Sequence, residues 1–181
     1  MNYQTDSIED NADGCYDRAA KLFDDNPPLA LKELEMALVF EPHHVQALIL
    51  AGELYLFQYQ SLAINDDEAN VRALSFFEQA LSHEPQHADA WSGKALALFY
   101  QENNETAIQA ANRGLAVLPL AVGFGMQQAE ISGNVGEALH NVKVKALLAL
   151  GRRYQARQAL AAGLTEYPNS KLLTRRVEEF L

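Results

Sequence analysis

The sequence predicts an all-α fold built from stacked pairs of helices. Apolar residues recur at helical spacing along most of the chain, and a 34-residue unit at 88–121 has diverged counterparts before and after it. Proline marks the expected end of the second helix of each unit, at positions 42, 85, 119 and 168. One helical pair alone would leave its outer apolar face exposed, so we expect the units to stack.

The 34-residue unit shows the pattern most clearly. Its first helix places Trp91, Ala95 and Leu98 on one face at steps of four and three residues. Residues 101–105 carry no apolar side chain and predict a turn. We expect the second helix to end at Pro119, because proline donates no backbone hydrogen bond and crowds the preceding turn.

The same pattern divides the chain into segments. Residues 1–10 have no apolar periodicity and predict a flexible acidic N-terminus. A repeat domain is expected over 11–170, and residues 171–181 predict an amphipathic helix that covers the last unit. The expected units of the domain are 11–44, 45–87, 88–121 and 137–170.

Two insertions interrupt this regular order, at 59–67 and 122–136. Residues 59–64 are apolar enough to extend the helix before them, and the next helix is expected to start near Glu68 or Ala69. The second insertion is rich in glycine and is either a loop or an extension of the following helix. It is a candidate hinge, lid or contact between copies of the chain.

Composition excludes several classes of partner. The 181 residues include 14 Lys and Arg against 24 Asp and Glu, a net charge of −10, so we expect no nucleic-acid binding. No apolar run approaches the ~20 residues that span a bilayer, so we expect no membrane insertion. The single cysteine, Cys15, excludes an intramolecular disulfide framework, and the acidic start is unlike a secretory signal. A cytoplasmic location is therefore expected.

The second unit carries a recognisable motif. Its first helix has Leu48, Gly52 and Tyr55, and its second helix is marked by Ala73, Phe77 and Pro85. This order resembles the tetratricopeptide repeat (TPR) family, whose pattern is W-x2-L-G-x2-Y, then A-x3-F, then P. The resemblance implies a right-handed α-α superhelix, a TPR solenoid of about nine or ten helices. It also implies a non-catalytic adapter or chaperone that binds other proteins.

In such a superhelix the first helices of the repeats line a concave groove, where a peptide or helix of the partner binds. By position in the repeat, the predicted groove residues are Ile49, Leu50, Glu53, Phe57, Leu96, Phe99, Tyr100, Asn141, Val142 and Lys145. The same positions also include Gln46, Leu56, Asp89, Ser92, Gly93, Ala138 and Leu148. Most of these side chains are apolar, which favours a hydrophobic recognition surface.

An alternative interpretation is a structural subunit that self-associates through the 122–136 insertion and its C-terminal end. Residues 137–181 hold four acids and eight bases, whereas residues 1–136 hold 20 acids and six bases. Opposite charge at the two ends favours contact between copies of the chain. The groove would then be filled by the chain's own insertion.

No pattern in the sequence indicates catalysis, a cofactor or a metal site. Four of the five histidines, at 43, 44, 83 and 87, lie near the ends of second helices. Pro85 interrupts the spacing of His83 and His87, and the other pair should lie one repeat rise away, so we expect no zinc site. Gly123-Phe124-Gly125 lacks the lysine and hydroxyl of a phosphate loop. We therefore predict that the protein is not an enzyme.

Overall fold

The computed structural model describes residues 11–58, 60–62, 64–121 and 128–180. These residues form helices and turns without a strand, so the predicted all-α class is confirmed. The α-helices are α1 (Ala12–Leu22), α2 (Pro27–Phe40), α3 (Val45–Gln58), α4 (Asp66–His83), α5 (Ala88–Tyr100), α6 (Asn104–Ala121), α7 (Gln128–Ala149), α8 (Arg153–Glu166) and α9 (Lys171–Val177), followed by a 3-10 turn at Glu178–Phe180.

Consecutive helices pack as antiparallel hairpins, and the hairpins stack along one axis. The pairs are α1 with α2, α3 with α4, α5 with α6, and α7 with α8. The first helices also contact one another, α1 with α3, α3 with α5 and α5 with α7, so they form the inner wall of a right-handed superhelix. Helix α9 packs on α7 and α8 and covers the end of the stack.

Polar side chains cap the N-termini of several helices. Asn11, Asn26 and Asn65 each accept a hydrogen bond from the backbone N–H three residues later, at α1, α2 and α4. Ser170 does the same at α9. His44 fills this role at α3, where its Nδ1 accepts from Ala47 N at 3.1 Å. These bonds pair backbone donors that have no partner within the helix.

The prolines end the helices with one exception. Helices α2, α4 and α8 each end two residues before a proline, at Pro42, Pro85 and Pro168. The prediction for Pro119 is wrong, because α6 continues through it to Ala121. The proline keeps φ near the helical value and the helix ends two residues after it, so the missing hydrogen bond and the crowding of the preceding turn affect only the last turn.

The two insertions differ in their secondary structure, since the first contains a turn and the second is helical from Gln128. Helix α3 ends at Gln58 and residues 60–62 form a turn, so the predicted extension of α3 is wrong there. Helix α4 starts at Asp66, before the expected Glu68. Leu62 and Ile64 instead pack on the hydrophobic cluster around Phe77, which buries them without further helix. After the third unit, α7 already begins at Gln128, so 128–136 extends that helix; residues 122–127 lie outside the described part of the chain.

Glycines allow the hairpins to approach closely around Phe77. This ring is fully buried on α4 and lies between α3 and α5. A methyl group at Gly52 would come within 2.7 Å of Phe77 Cζ, and one at Gly93 within 2.7 Å of Phe77 Cε2. Gly114 of α6 leaves similar room for Leu139 of α7. Each joint between hairpins therefore has its own packed core, as expected of a stacked-repeat protein.

Candidate functional site

The inner face of the superhelix contains two adjoining cavities of about 740 Å³ and about 220 Å³. Both are lined by Glu53 of α3, Asp89 of α5 and Val135 of α7, so they form one continuous depression, called here the groove. The remaining lining residues are Tyr16, Gln46, Ile49, Leu50, Leu56, Phe57, Glu84, Pro85, Gln86, His87, Ala88, Ser92, Gly93, Leu96, Leu118 and Ala138.

The structure brings half of the ten predicted site residues together in the groove: Ile49, Leu50, Glu53, Phe57 and Leu96. Phe57 is the most accessible of them, with 55% of its surface exposed. Leu50 and Leu96 are half-buried, and Ile49 is buried in the core cluster around Phe77. The groove therefore has an apolar floor that is held in place by the packing beneath it.

The other predicted residues lie beyond the groove, on α5 and α7. Lys145 Nζ lies 4.3 Å from the centre of the Phe99 ring and 5.6 Å from that of Tyr100, within the range of cation–π attraction. Asn141 Oδ1 accepts a hydrogen bond from Arg176 Nε at 2.8 Å. Val142 is 3% exposed and packs in the core between hairpins, so it offers no surface to a partner.

Sequence reasoning missed the groove residues that lie outside the first helices of the middle repeats. Tyr16 lies 34 residues before Leu50, one repeat length, so extending the repeat to the first unit would have found it. The turn at 84–88 forms one wall of the larger cavity. Val135 enters the groove because α7 begins two turns before the expected start of its unit; the sequence left 122–136 open between a loop and an extension of that helix, and 128–136 is the extension.

The groove is acidic. Its carboxylates are Glu53, Glu84 and Asp89, and no Lys or Arg is among the described residues that line it. Burial, reinforced by the charge of Asp89, raises the pKa of the Glu53 carboxyl to about 7. Burial and the Glu53 charge also raise the pKa of the Tyr16 hydroxyl. Within the described part of the chain, Glu53 has no cationic partner, whereas Asp89 Oδ2 lies 3.5 Å from His87 Nδ1.

The histidines make structural contacts. His44 Nε2 lies 3.0 Å from Asp13 Oδ1, while its Nδ1 caps α3. The expectation that the histidine pairs lie a repeat apart is wrong for His43 and His83, whose ring centres are 4.1 Å apart. The described residues contain no group of three or more side chains arranged to hold a metal ion. None of the described helices is long and apolar enough to cross a bilayer.

Comparison with solved structures identifies the architecture. The chain superposes on TTC0263, a thermophilic TPR protein of Thermus thermophilus, with a TM-score of 0.70 over 93% of this chain and 80% of that one, at 16% sequence identity. The chain has the tetratricopeptide-repeat fold. The MamA protein is also similar, with a TM-score of 0.63 over 94% of this chain and 77% of that one, again at 16% identity.

The motif residues of the second unit serve packing, since Leu48, Tyr55, Ala73 and Phe77 belong to one buried cluster. No protein-family model matches the chain, and no curated protein sequence does. A likeness at 16% identity shows the fold and does not extend to the surface residues. Binding specificity must therefore be argued from the groove of this chain itself.

Proposed function

We propose that this protein is a non-catalytic adapter or chaperone that binds a peptide or helix of another protein in the groove. One observation carries the proposal: half-buried and exposed apolar side chains from α3 and α5 share a continuous depression whose larger part has a volume of about 740 Å³. Sites that bind peptides are concave and mostly apolar, with a few polar groups for orientation. We place the protein in the cytoplasm, and its only cysteine, buried in the core, is consistent with this.

The proposal is tested by placing a charge on the groove floor. Phe57→Glu changes an exposed groove residue, so it should alter binding with little effect on folding. Val71→Glu is the matched control, because Val71 is 61% exposed on α4 and does not line the groove. Proteins captured from a lysate of the source cells by the immobilised wild type should be lost with Phe57→Glu and kept with Val71→Glu. Equal capture by all three proteins would refute the groove as the binding site.

A second candidate function is assembly through contact between copies of the chain. Helix α9 exposes Leu172 and Val177 beside the cations Lys171 and Arg175, so the C-terminal end presents apolar and basic groups together. Such a face complements an acidic surface on another copy. Light scattering at micromolar concentration should then give a mass of two or more chains, reduced to one by Lys171→Glu with Arg175→Glu. A single-chain mass for the wild type would exclude this function.

A further inference from the structure

Two carboxylates line the same part of the groove, and no Lys or Arg is among the described residues around them. Glu53 from α3 and Asp89 from α5 both line the larger and the smaller cavity, and the charge of Asp89 acts directly on Glu53. Tyr16 of α1 lines the larger cavity with them, and its hydroxyl can accept or donate a hydrogen bond. Glu84 adds a third acid on the wall.

This arrangement is unfavourable in the free protein. Two like charges in a partly desolvated site repel, and a carboxylate that leaves water without a cationic partner is destabilised. Elsewhere the chain pairs acids with cations: the half-buried Glu33 accepts from Arg18 at 2.8 Å, and the exposed Glu78 binds Lys94 at 2.8 Å. The described groove residues provide no equivalent partner for Glu53. A cation supplied by a ligand would remove both the repulsion and the desolvation cost.

The apolar surroundings limit what kind of ligand can supply that cation. Ile49, Leu50 and Leu96 flank the two acids along the groove floor, and Phe57 lines the smaller cavity with Leu96. A free metal ion would leave these apolar walls wet, whereas an apolar segment with one basic side chain would cover them. On α7, the cation Lys145 lies beyond the groove against Phe99.

We propose that the groove binds a segment of another protein in which apolar side chains flank a single Lys or Arg, and that this cation is placed between Glu53 and Asp89. The proposal rests on the proposed function and specifies the chemistry of its partner. Charge complementarity within an apolar site sets both the register and the orientation of the segment. The Lys or Arg is the residue that distinguishes the partner from other apolar segments.

The test selects ligands from a random library, so the natural partner need not be identified first. Phage-displayed random 12-residue peptides are selected on the wild type, on Glu53→Gln with Asp89→Asn, and on Glu35→Gln with Asp67→Asn. The last variant removes one Glu and one Asp charge outside the groove. Glu35 is exposed on α2, and Asp67 is the second residue of α4 as Asp89 is of α5. Wild type and control should enrich peptides with one Lys or Arg among apolar residues. The variant with Glu53→Gln and Asp89→Asn, called here the groove variant, should enrich peptides with apolar residues alone.

The selected peptide is then labelled with fluorescein, and its affinity is measured by anisotropy beside a version with Gln in place of the cation. We expect this change to weaken binding at least tenfold on the wild type and less than threefold on the groove variant, the signature of a direct charge interaction. Affinity should fall up to about tenfold from pH 8 to pH 6, and Glu53→Gln should remove most of that dependence. His87→Gln serves as a control, because His87 also faces Asp89.

The outcomes separate the two proposals. Peptides that lose binding on Phe57→Glu but carry no required base would overturn the inference and leave the groove function standing. The same basic peptides selected on the groove variant would also overturn it. The absence of any peptide that depends on Phe57 would overturn both. A mass of two chains that falls to one with Glu53→Gln and Asp89→Asn would make a second copy the occupant and overturn the assignment to another protein.

Discussion

Replacing Gly93 with alanine tests how closely the groove floor is packed on the core. The new methyl group would lie within 2.7 Å of Phe77 Cε2 and closer still to two other atoms of that ring. The ring has little room to retreat toward α3, because it already lies so close to Gly52 that a methyl group there would come within 2.7 Å of Phe77 Cζ. Gly93 therefore holds open the space that the fully buried Phe77 occupies.

The magnitude follows from two opposing effects. Glycine to alanine inside a helix normally gains about 1 kcal/mol. Overpacking a rigid core costs roughly 1–3 kcal/mol, and the ring pinned between two helices places this site at the upper end. We expect a net loss of about 2 kcal/mol in the free energy of unfolding, or a melting temperature lower by about 4–8 °C.

The measurement is urea unfolding followed by circular dichroism. Gly93→Ala should lower the midpoint with little change in slope. Phe77→Leu alone should cost roughly 1–2 kcal/mol by leaving a cavity, but combined with Gly93→Ala it should cost less than the sum, because the smaller side chain makes room for the methyl group. A Gly93→Ala protein as stable as the wild type, or strict additivity in the double variant, would refute the packing argument.

Three further predictions concern stability. The pKa of Glu53 is raised in the folded state from an ordinary value near 4.5 to about 7. The free energy of unfolding of the wild type should therefore fall by roughly 1–3 kcal/mol as pH rises from 5 to 8. In urea unfolding, that of Glu53→Gln should depend less on pH over the same range. His44→Ala should lower the free energy of unfolding by roughly 1–2 kcal/mol, because it removes the cap of α3 and the bond to Asp13. In thermal melts, His44→Asn should recover part of this loss, because Asn can still cap the helix. Leu173→Ala, at a fully buried site on α9, should cost roughly 2–5 kcal/mol; a loss under about 1 kcal/mol would show that α9 does not seal the stack.

The sequence by itself determined the class and order of the helices. Apolar spacing located the hairpins, and Pro42, Pro85 and Pro168 marked helix ends, because the loss of a backbone donor acts within one turn. The repeat position of Leu50 also led to part of the groove, since residues at one position of stacked repeats share a face. The signals for helices and their ends are local, because they depend on residues close together in the sequence.

The tertiary structure decided what depends on distant residues. Pro119 lies inside α6, Leu62 and Ile64 fold onto the cluster around Phe77, and α7 starts early enough for Val135 to reach the groove. Val142 has the repeat position of a groove residue, yet packing between hairpins buries it. The proximity of Glu53 and Asp89, 36 residues apart in sequence, arises because α3 and α5 pack side by side. That contact brings the two acids into one groove, where no Lys or Arg is among the described lining residues.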